Sequence, residues 1–174
     1  MLSNVELIIL SLIYEKASYA YEIEKQIEAR NMRMWVKIGI ASIYQVLSRL
    51  SDKGYLEFEI EREGKAPERK RYYLTEKGKE VLKSSVIAAM GKLEWFYMDL
   101  NVAFEGSDIL STEEMLETLK YRLQLVKHNL RKIRQDITSD NRKTKAGIIM
   151  NNVLAFRLTE EKLLEELIAE LAEL

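Results

Sequence analysis

IASIYQVLSRLSDKGYLEFEIEREGKAPERKRYYLT, residues 40–75, changes its hydrophobic period in the middle, and that change decides the fold. From about Ser42 to Lys53 the apolar residues Ile43, Val46, Leu47 and Leu50 recur at helical spacing, and Gly54 stands where a helix-ending glycine belongs. Then Leu56, Phe58 and Ile60 alternate with Glu57, Glu59 and Glu61, the period-2 pattern of a half-buried strand. RKRYYL, residues 69–74, is strand-like as well, and the only proline, Pro67, lies with Gly64 in the segment between. The pattern predicts a helix followed by a hairpin with a longer loop, and Thr75 as the N-cap of whatever comes next.

Upstream, Ser3 and Glu6 have the spacing of a capping box, with Leu2 and Leu7 placed as its hydrophobic staple. Leu7, Leu10 and Ile13 or Tyr14 continue that first helix, and a second is expected over about Ala20 to Ala29 with Ile23 and Ile27 on its buried face. MRMWVKIGI, residues 32–40, is β-branched and aromatic and suggests a short strand ending at Gly39. Three helices followed by a hairpin make a winged helix-turn-helix.

Beyond Glu76 no strand pattern survives. Leu82, Val86, Ala89, Leu93, Phe96, Leu100 and Ala103 recur in helical steps until Glu105-Gly106-Ser107-Asp108 breaks them. Ser111 and Glu114 form a second capping box, flanked by Leu110 and Met115. The helix it opens carries Leu116, Leu119, Leu123, Val126, Leu130, Ile133 and Ile137, a 3,4 heptad stripe. A polar turn over Thr138 to Lys143 leads to a last helix with Ile149, Val153, Phe156, Leu163, Leu164, Leu167, Leu171 and Leu174. Residues 120–145 hold nine Lys or Arg against Asp136 and Asp140, whereas the tail from Arg157 holds six glutamates against two bases. These two helices are therefore suited to pack antiparallel with charge pairs at their flanks. One pair of helices is not expected to cover stripes this long, so the stripe from Leu116 to Ile137 is expected to make a homodimer, the competing reading being an intramolecular hairpin alone. The expected fold is mainly α with a small β-hairpin wing: a winged helix-turn-helix over residues 1–78, then a helical, coiled-coil-like dimerisation domain over 79–174.

Composition excludes several functions. The 174 residues are 47% apolar and 32% charged, an ordinary globular balance, with a net charge of −1. The absence of cysteine removes disulfides, thiolate catalysis and zinc–thiolate sites. No apolar run approaches the roughly 18 residues that would cross a membrane. The apolar run Leu7 to Tyr14 lacks the basic flank of a secretory signal, so a cytoplasmic location is expected. His128 is the single histidine, on a basic helix without triad or metal partners, and the seven glycines never take a phosphate-binding spacing. No catalytic residue, metal or cofactor is expected, and the chain does not look like an enzyme.

Charge is segregated by segment, and that points to DNA. No acidic residue occurs between Ala29 and Ser51, while Arg30, Arg33, Lys37 and Arg49 do. With Ile43, Val46, Leu47 and Leu50 facing a core, the opposite face of the third helix presents Ser42, Tyr44, Gln45, Ser48 and Arg49. Such helices enter the major groove with their N-terminal turns leading. Ser42, Gln45, Ser48 and Arg49 are the candidates for base readout, Gln45 having the donor and acceptor that match adenine. Tyr44 on the flank, Lys37, and the wing cations Lys65, Arg69, Lys70 and Arg71 are the candidates for phosphate contact, beside Arg62. The glutamates of the wing favour a competing reading, a winged helix that no longer binds DNA and serves as a protein-interaction module.

The run IASIYQVLSRLSDKGYLE, the hairpin, and RKRYYLTEKGKEVL together resemble the PadR family of bacterial transcriptional regulators, and the upstream YAYEI is similar to that family's second-helix motif. The similarity spans about Leu7 to Leu82, with Ala20 where the family usually has glycine and Gln45 where many members have proline. The remainder is similar in architecture to a PadR subgroup with a helical C-terminal domain. The resemblance implies a homodimeric repressor on a pseudo-palindromic operator, released in some members by a planar aromatic effector. Trp95, Phe96 and Tyr97 are the residues that would line a pocket for it.

Overall fold

The structure is a computed structural model and describes residues 2–62, 68–95, 97–137 and 143–173. Among these are seven α-helices and one three-stranded antiparallel sheet, and the chain divides into two compact units, 1–94 and 95–174.

In the first unit Ser3 caps α1 (Asn4–Glu15), its hydroxyl accepting from Glu6 while the Glu6 carboxylate accepts from the Ser3 amide at 2.8 Å. A two-residue strand β1 (Ser18–Tyr19) precedes α2 (Ala20–Ala29). Then come a 3-10 turn at Met32–Met34 and α3 (Ile40–Asp52). Helix α3 ends as its glycine demands: Gly54 has φ +69°, and the amides of Gly54 and Tyr55 return to the carbonyls of Ser51 and Leu50 at 2.9 and 3.0 Å. This double turn-back satisfies carbonyls that a helix end otherwise leaves open. Strands β2 (Leu56–Glu61) and β3 (Arg69–Leu74) pair in antiparallel register, Leu56 opposite Leu74 and Glu61 opposite Arg69, and β1 joins the other edge of β3. Thr75 then caps α4 (Glu76–Gly91) by accepting from Gly78. The core packs Ile9, Leu10 and Leu12 of α1 with Ile23 and Ile27 of α2, Ile43, Leu47 and Leu50 of α3, and Leu82 of α4.

A buried glycine holds β2 close to α4. A Cβ built on Gly78 would stand 2.2 Å from the Tyr55 carbonyl oxygen and 2.7 Å from Leu74 Cδ1, so only glycine lets the helix start there.

The second unit holds α5 (Asp99–Glu105), a 3-10 turn at Ser107–Ile109, α6 (Thr112–Asp136) and α7 (Lys145–Ala172). Ser111 and Glu114 form the expected capping box, and the short link between α6 and α7 makes them an antiparallel hairpin. Leu119, Val126 and Leu130 of α6 pack with Leu164 of α7 and Leu100 of α5.

Four expectations are corrected. Residues 32–39 are not a strand: Met32, Val36 and Ile38 are buried in a 3-10 turn and loop, which Arg33 Nε closes by donating to the Ile38 carbonyl at 3.0 Å. A β-branched run without a neighbouring edge makes no ladder. The strand that joins the hairpin instead lies before α2, at Ser18–Tyr19. Second, β2 buries only Leu56, with Phe58 and Ile60 exposed, because the hairpin runs outward past the core. Third, the stripe through Leu93 is not one helix: α4 stops at Gly91, Lys92 is extended, and Leu93 is exposed. Fourth, Phe156 and Leu163 of the last helix are exposed, whereas Leu164 is fully buried. Phe96, Leu174 and most of the turn at 138–143 lie outside the described residues, as do Gly64, Lys65 and Pro67 of the hairpin loop.

Candidate nucleic-acid interface

Burial divides α3 as its sequence pattern requires. Ile43, Val46, Leu47 and Leu50 are buried, while Tyr44 is 56% exposed, Gln45 and Ser48 are exposed and Ser42 is half-buried. Ile40 and Ala41 in the first turn also face outward, an apolar pair beside Gln45 that the sequence pattern had not singled out. Gly39 caps the helix without a side-chain acceptor, so no side chain satisfies the first-turn amides there, and Lys37 is exposed just before them. Open amides and positive dipole at a helix start favour an anion such as a phosphate.

Arg49 differs from its neighbours. Its Nε donates to Glu6 Oε1 at 3.1 Å, and Lys53 Nζ donates to the same oxygen at 3.0 Å. Glu6 is 5% exposed. Burial alone would raise its carboxyl, but the Ser3 amide and the Lys53 ammonium outweigh that and hold it at about 2. Arg49, placed with the base-reading residues by the sequence pattern, is thus anchored at one edge to α1.

The wing has two unlike faces. Cross-strand register sets Glu59 opposite Arg71 and Glu61 opposite Arg69 on one face, and Phe58 opposite Tyr72 and Ile60 opposite Lys70 on the other. On the acidic face Arg71 lies 3.2 Å from Glu61 Oε1 and its guanidinium sits 4.7 Å from the Tyr19 ring. Its Nε finds no aligned hydrogen-bond acceptor, so the attraction is Coulombic. Tyr19 donates a short hydrogen bond to Glu61, which raises the phenol, and stacks on Tyr21 at 5.5 Å; Arg69 lies 5.7 Å over the Tyr21 ring. Arg71 is therefore engaged by Glu61 and Tyr19 and half-buried, whereas Arg62, Arg69 and Lys70 are exposed, Lys70 resting 4.0 Å over Phe58 on the opposite face. Lys65 lies outside the described residues.

In the helical unit, Leu119, Val126, Leu130 and Ile133 of the heptad stripe are buried within the single chain, and Leu116, Leu123 and Ile137 are half-buried. The expected flanking pairs are present as Arg122–Glu160 at 2.6 Å and Lys127–Glu165 at 2.7 Å. Arg157 also reaches Glu160, whose carboxyl burial would raise but the two guanidinium groups lower. Trp95 is 77% and Tyr97 92% exposed, and Phe96 lies outside the described residues. Among the described residues no group of three or more His, Asp or Glu could hold a metal ion, and no helix is long and apolar enough to cross a membrane.

Three packed helices, an outward helix face free of acid up to Asp52, and a hairpin wing define a winged helix-turn-helix. Residues 9–84, which hold the winged helix-turn-helix, match the Transcriptional regulator PadR-like family, and that match supports a DNA-binding transcriptional regulator of this kind. It is similar to Bacillus subtilis PadR solved in complex with operator DNA, at 19% identity and TM-score 0.82 over 97% of this chain and 99% of that one. The same Bacillus subtilis protein in complex with p-coumaric acid gives 19% identity and TM-score 0.79, over 97% and 98% of the two chains. The PadR-like regulator BC1756 of Bacillus cereus gives 15% identity and TM-score 0.72, over 98% and 99%. At such identities the likeness is one of fold. No curated protein matches the chain.

Proposed function

We propose that the chain binds double-stranded DNA as a homodimer and represses transcription from a pseudo-palindromic operator. The observation that carries this reading is the division of α3, with an apolar side sealed into the core and Ser42, Tyr44, Gln45 and Ser48 outside it. In this reading α3 enters the major groove, Ser42, Gln45 and Ser48 approach base edges, and Tyr44 and Lys37 contact the backbone. Arg62, Arg69 and Lys70, with Lys65 beyond the described residues, meet phosphates alongside. Arg71 serves the wing's own architecture, held by Glu61 and Tyr19.

The dimer is assigned to the helical unit. Leu119, Val126, Leu130 and Ile133 are already buried within one chain, so the surface left for a second copy is Leu116, Leu123 and Ile137 with the exposed Phe156 and Leu163 of α7. A small aromatic effector is the accompanying proposal. The exposed rings of Trp95 and Tyr97, and the fold shared with a regulator solved with p-coumaric acid, support it.

The test is the salt dependence of DNA binding. Replacing Arg69 and Lys70 with alanine weakens all duplexes about equally and flattens the slope of log K against log salt by roughly 0.9 per lost contact. An unchanged slope removes the wing from the interface. Failure of the wild-type chain to shift its own upstream promoter DNA favours the protein-interaction module, to which the glutamates of β2 are better suited.

A further inference from the structure

Glu6 has more hydrogen bonding than a helix cap needs. In a capping box the N3 side chain accepts one bond from the N-cap amide, which glutamine does as well as glutamate. Here Oε2 of Glu6 takes that bond from Ser3 at 2.8 Å, and Oε1 takes two charged donors, Arg49 in the last turn of α3 and Lys53 just after it, at 3.1 and 3.0 Å. The carboxylate is buried while both cations remain substantially exposed, with side-chain exposures of 52% and 43%. Burying an ion is costly unless its partners are well placed, so a cap alone does not account for a charged residue here.

Arg49 lies one helical turn beyond Gln45, on the same outward face. Its bond to Glu6 uses Nε, so the guanidinium plane is fixed at one edge while the far edge faces solvent. A guanidinium held in this way is pre-organised for a planar, two-pronged contact, and part of its charge is already neutralised. Lys53, a flexible point charge, is drawn back toward α1 by the same oxygen.

We infer that Glu6 is a positioning residue for DNA recognition: it aims Arg49 and restrains Arg49 and Lys53 from indiscriminate phosphate attraction, so that it favours sequence discrimination over raw affinity. This rests on the reading of α3 as the DNA-contacting helix. The depressed carboxyl keeps Glu6 charged at every pH at which the protein would meet DNA.

The experiment compares Glu6→Gln with Glu22→Gln by fluorescence anisotropy on cognate and random duplexes across a salt series. Glu22 occupies the same cap position on α2, accepting from the Tyr19 amide at 3.0 Å, so it controls for the lost charge and the altered cap. Glu6→Gln is expected to bind random DNA more tightly and to steepen the salt slope by about 0.9 for each released cation. It should also lower the cognate-to-random ratio several-fold. In a background lacking both Arg49 and Lys53 the same change should have no effect. A salt slope and ratio matching those of Glu22→Gln overturn the inference.

If Glu6→Gln does not fold, nitrogen-15 NMR of the wild-type chain carries the test. The Arg49 Nε proton should exchange with water several-fold more slowly than those of solvent-exposed arginines, both free and on cognate DNA; exchange at the ordinary rate overturns it. Absence of any DNA binding by the wild type would instead contradict the function proposed above, which separates the two failures.

Discussion

The first unit closes a core among its three N-terminal helices and leaves Ile40, Phe58, Ile60 and Leu93 outside it, whereas the helical unit closes one stripe and leaves others in solvent. Around α1, α2 and α3 the residues Ile9, Leu10, Ile23, Ile27, Ile43, Leu47 and Leu50 are all fully buried. In the second unit Leu130, Ile133 and Leu164 reach the same burial, yet Tyr97, Val102, Ile109, Phe156 and Leu163 stay exposed. Scattered exposed apolar residues are normal, but a helical hairpin that leaves apolar residues along its outer faces has surface for a partner. The difference is what the proposed homodimer requires, with the first unit holding one helix face and the helical unit offering surface to a second copy.

The largest expected effect tests the closed unit. Leu47→Ala opens a cavity beneath the recognition face and should cost about 2–5 kcal/mol in urea unfolding. A loss below about 1 kcal/mol would mean that the first unit is no better sealed than the second.

Acid provides the next effect. Glu6 is held at about 2, below the value near 4.3 expected in the unfolded chain. A depressed carboxylate stabilises the fold above its unfolded value, and that contribution disappears as pH falls toward the folded one. Between about pH 5 and pH 2 the wild type should lose on the order of 2–3 kcal/mol more than Glu6→Gln, read from denaturant midpoints at each pH. Parallel curves would show that the Glu6–Arg49–Lys53 cluster contributes little.

The smallest effect on folding belongs to the open unit. Leu163→Glu places a charge on an exposed position of α7 and should change the unfolding free energy by no more than about 0.5 kcal/mol. The same change should shift the mass in analytical ultracentrifugation from dimer toward monomer. A variant that stays dimeric would move the interface elsewhere.

Local signals in the sequence were enough for much of this. The spacing of Ile43, Val46, Leu47 and Leu50 and the glycine after them define α3 and its outward face, and the caps at Ser3, Thr75 and Ser111 stand where their side chains require. What could not be read depends on partners distant in the chain. Two residues at Ser18–Tyr19 carry no period, so β1 appears only when β3 lies beside it. Val36 and Ile38 are buried like strand residues without an edge to pair with. Gly78 resembles any glycine in a helix until the Tyr55 carbonyl is found against it.

Within the site, the pattern assigned Arg49 to the exposed face but could not show that Glu6, 43 residues earlier, holds it. Nor could it distinguish Arg71, engaged by Glu61 and Tyr19, from Lys70 on the opposite face of the wing. In α6 the stripe was legible and its covering was not, because only the packed hairpin brings Leu164 of α7 into one cluster with Leu119, Val126 and Leu130.

The most direct test of the account is a binding series on the cognate duplex in which every base pair is substituted in turn, run on the wild type and on Gln45→Ala. With Gln45 exposed on α3 beside the exposed Tyr44, the variant should lose roughly 1–3 kcal/mol on the cognate site and relax its preference at one symmetric pair of positions, while binding to random DNA hardly changes. Identical base preferences in the two proteins would contradict the assignment of this helix face to sequence readout.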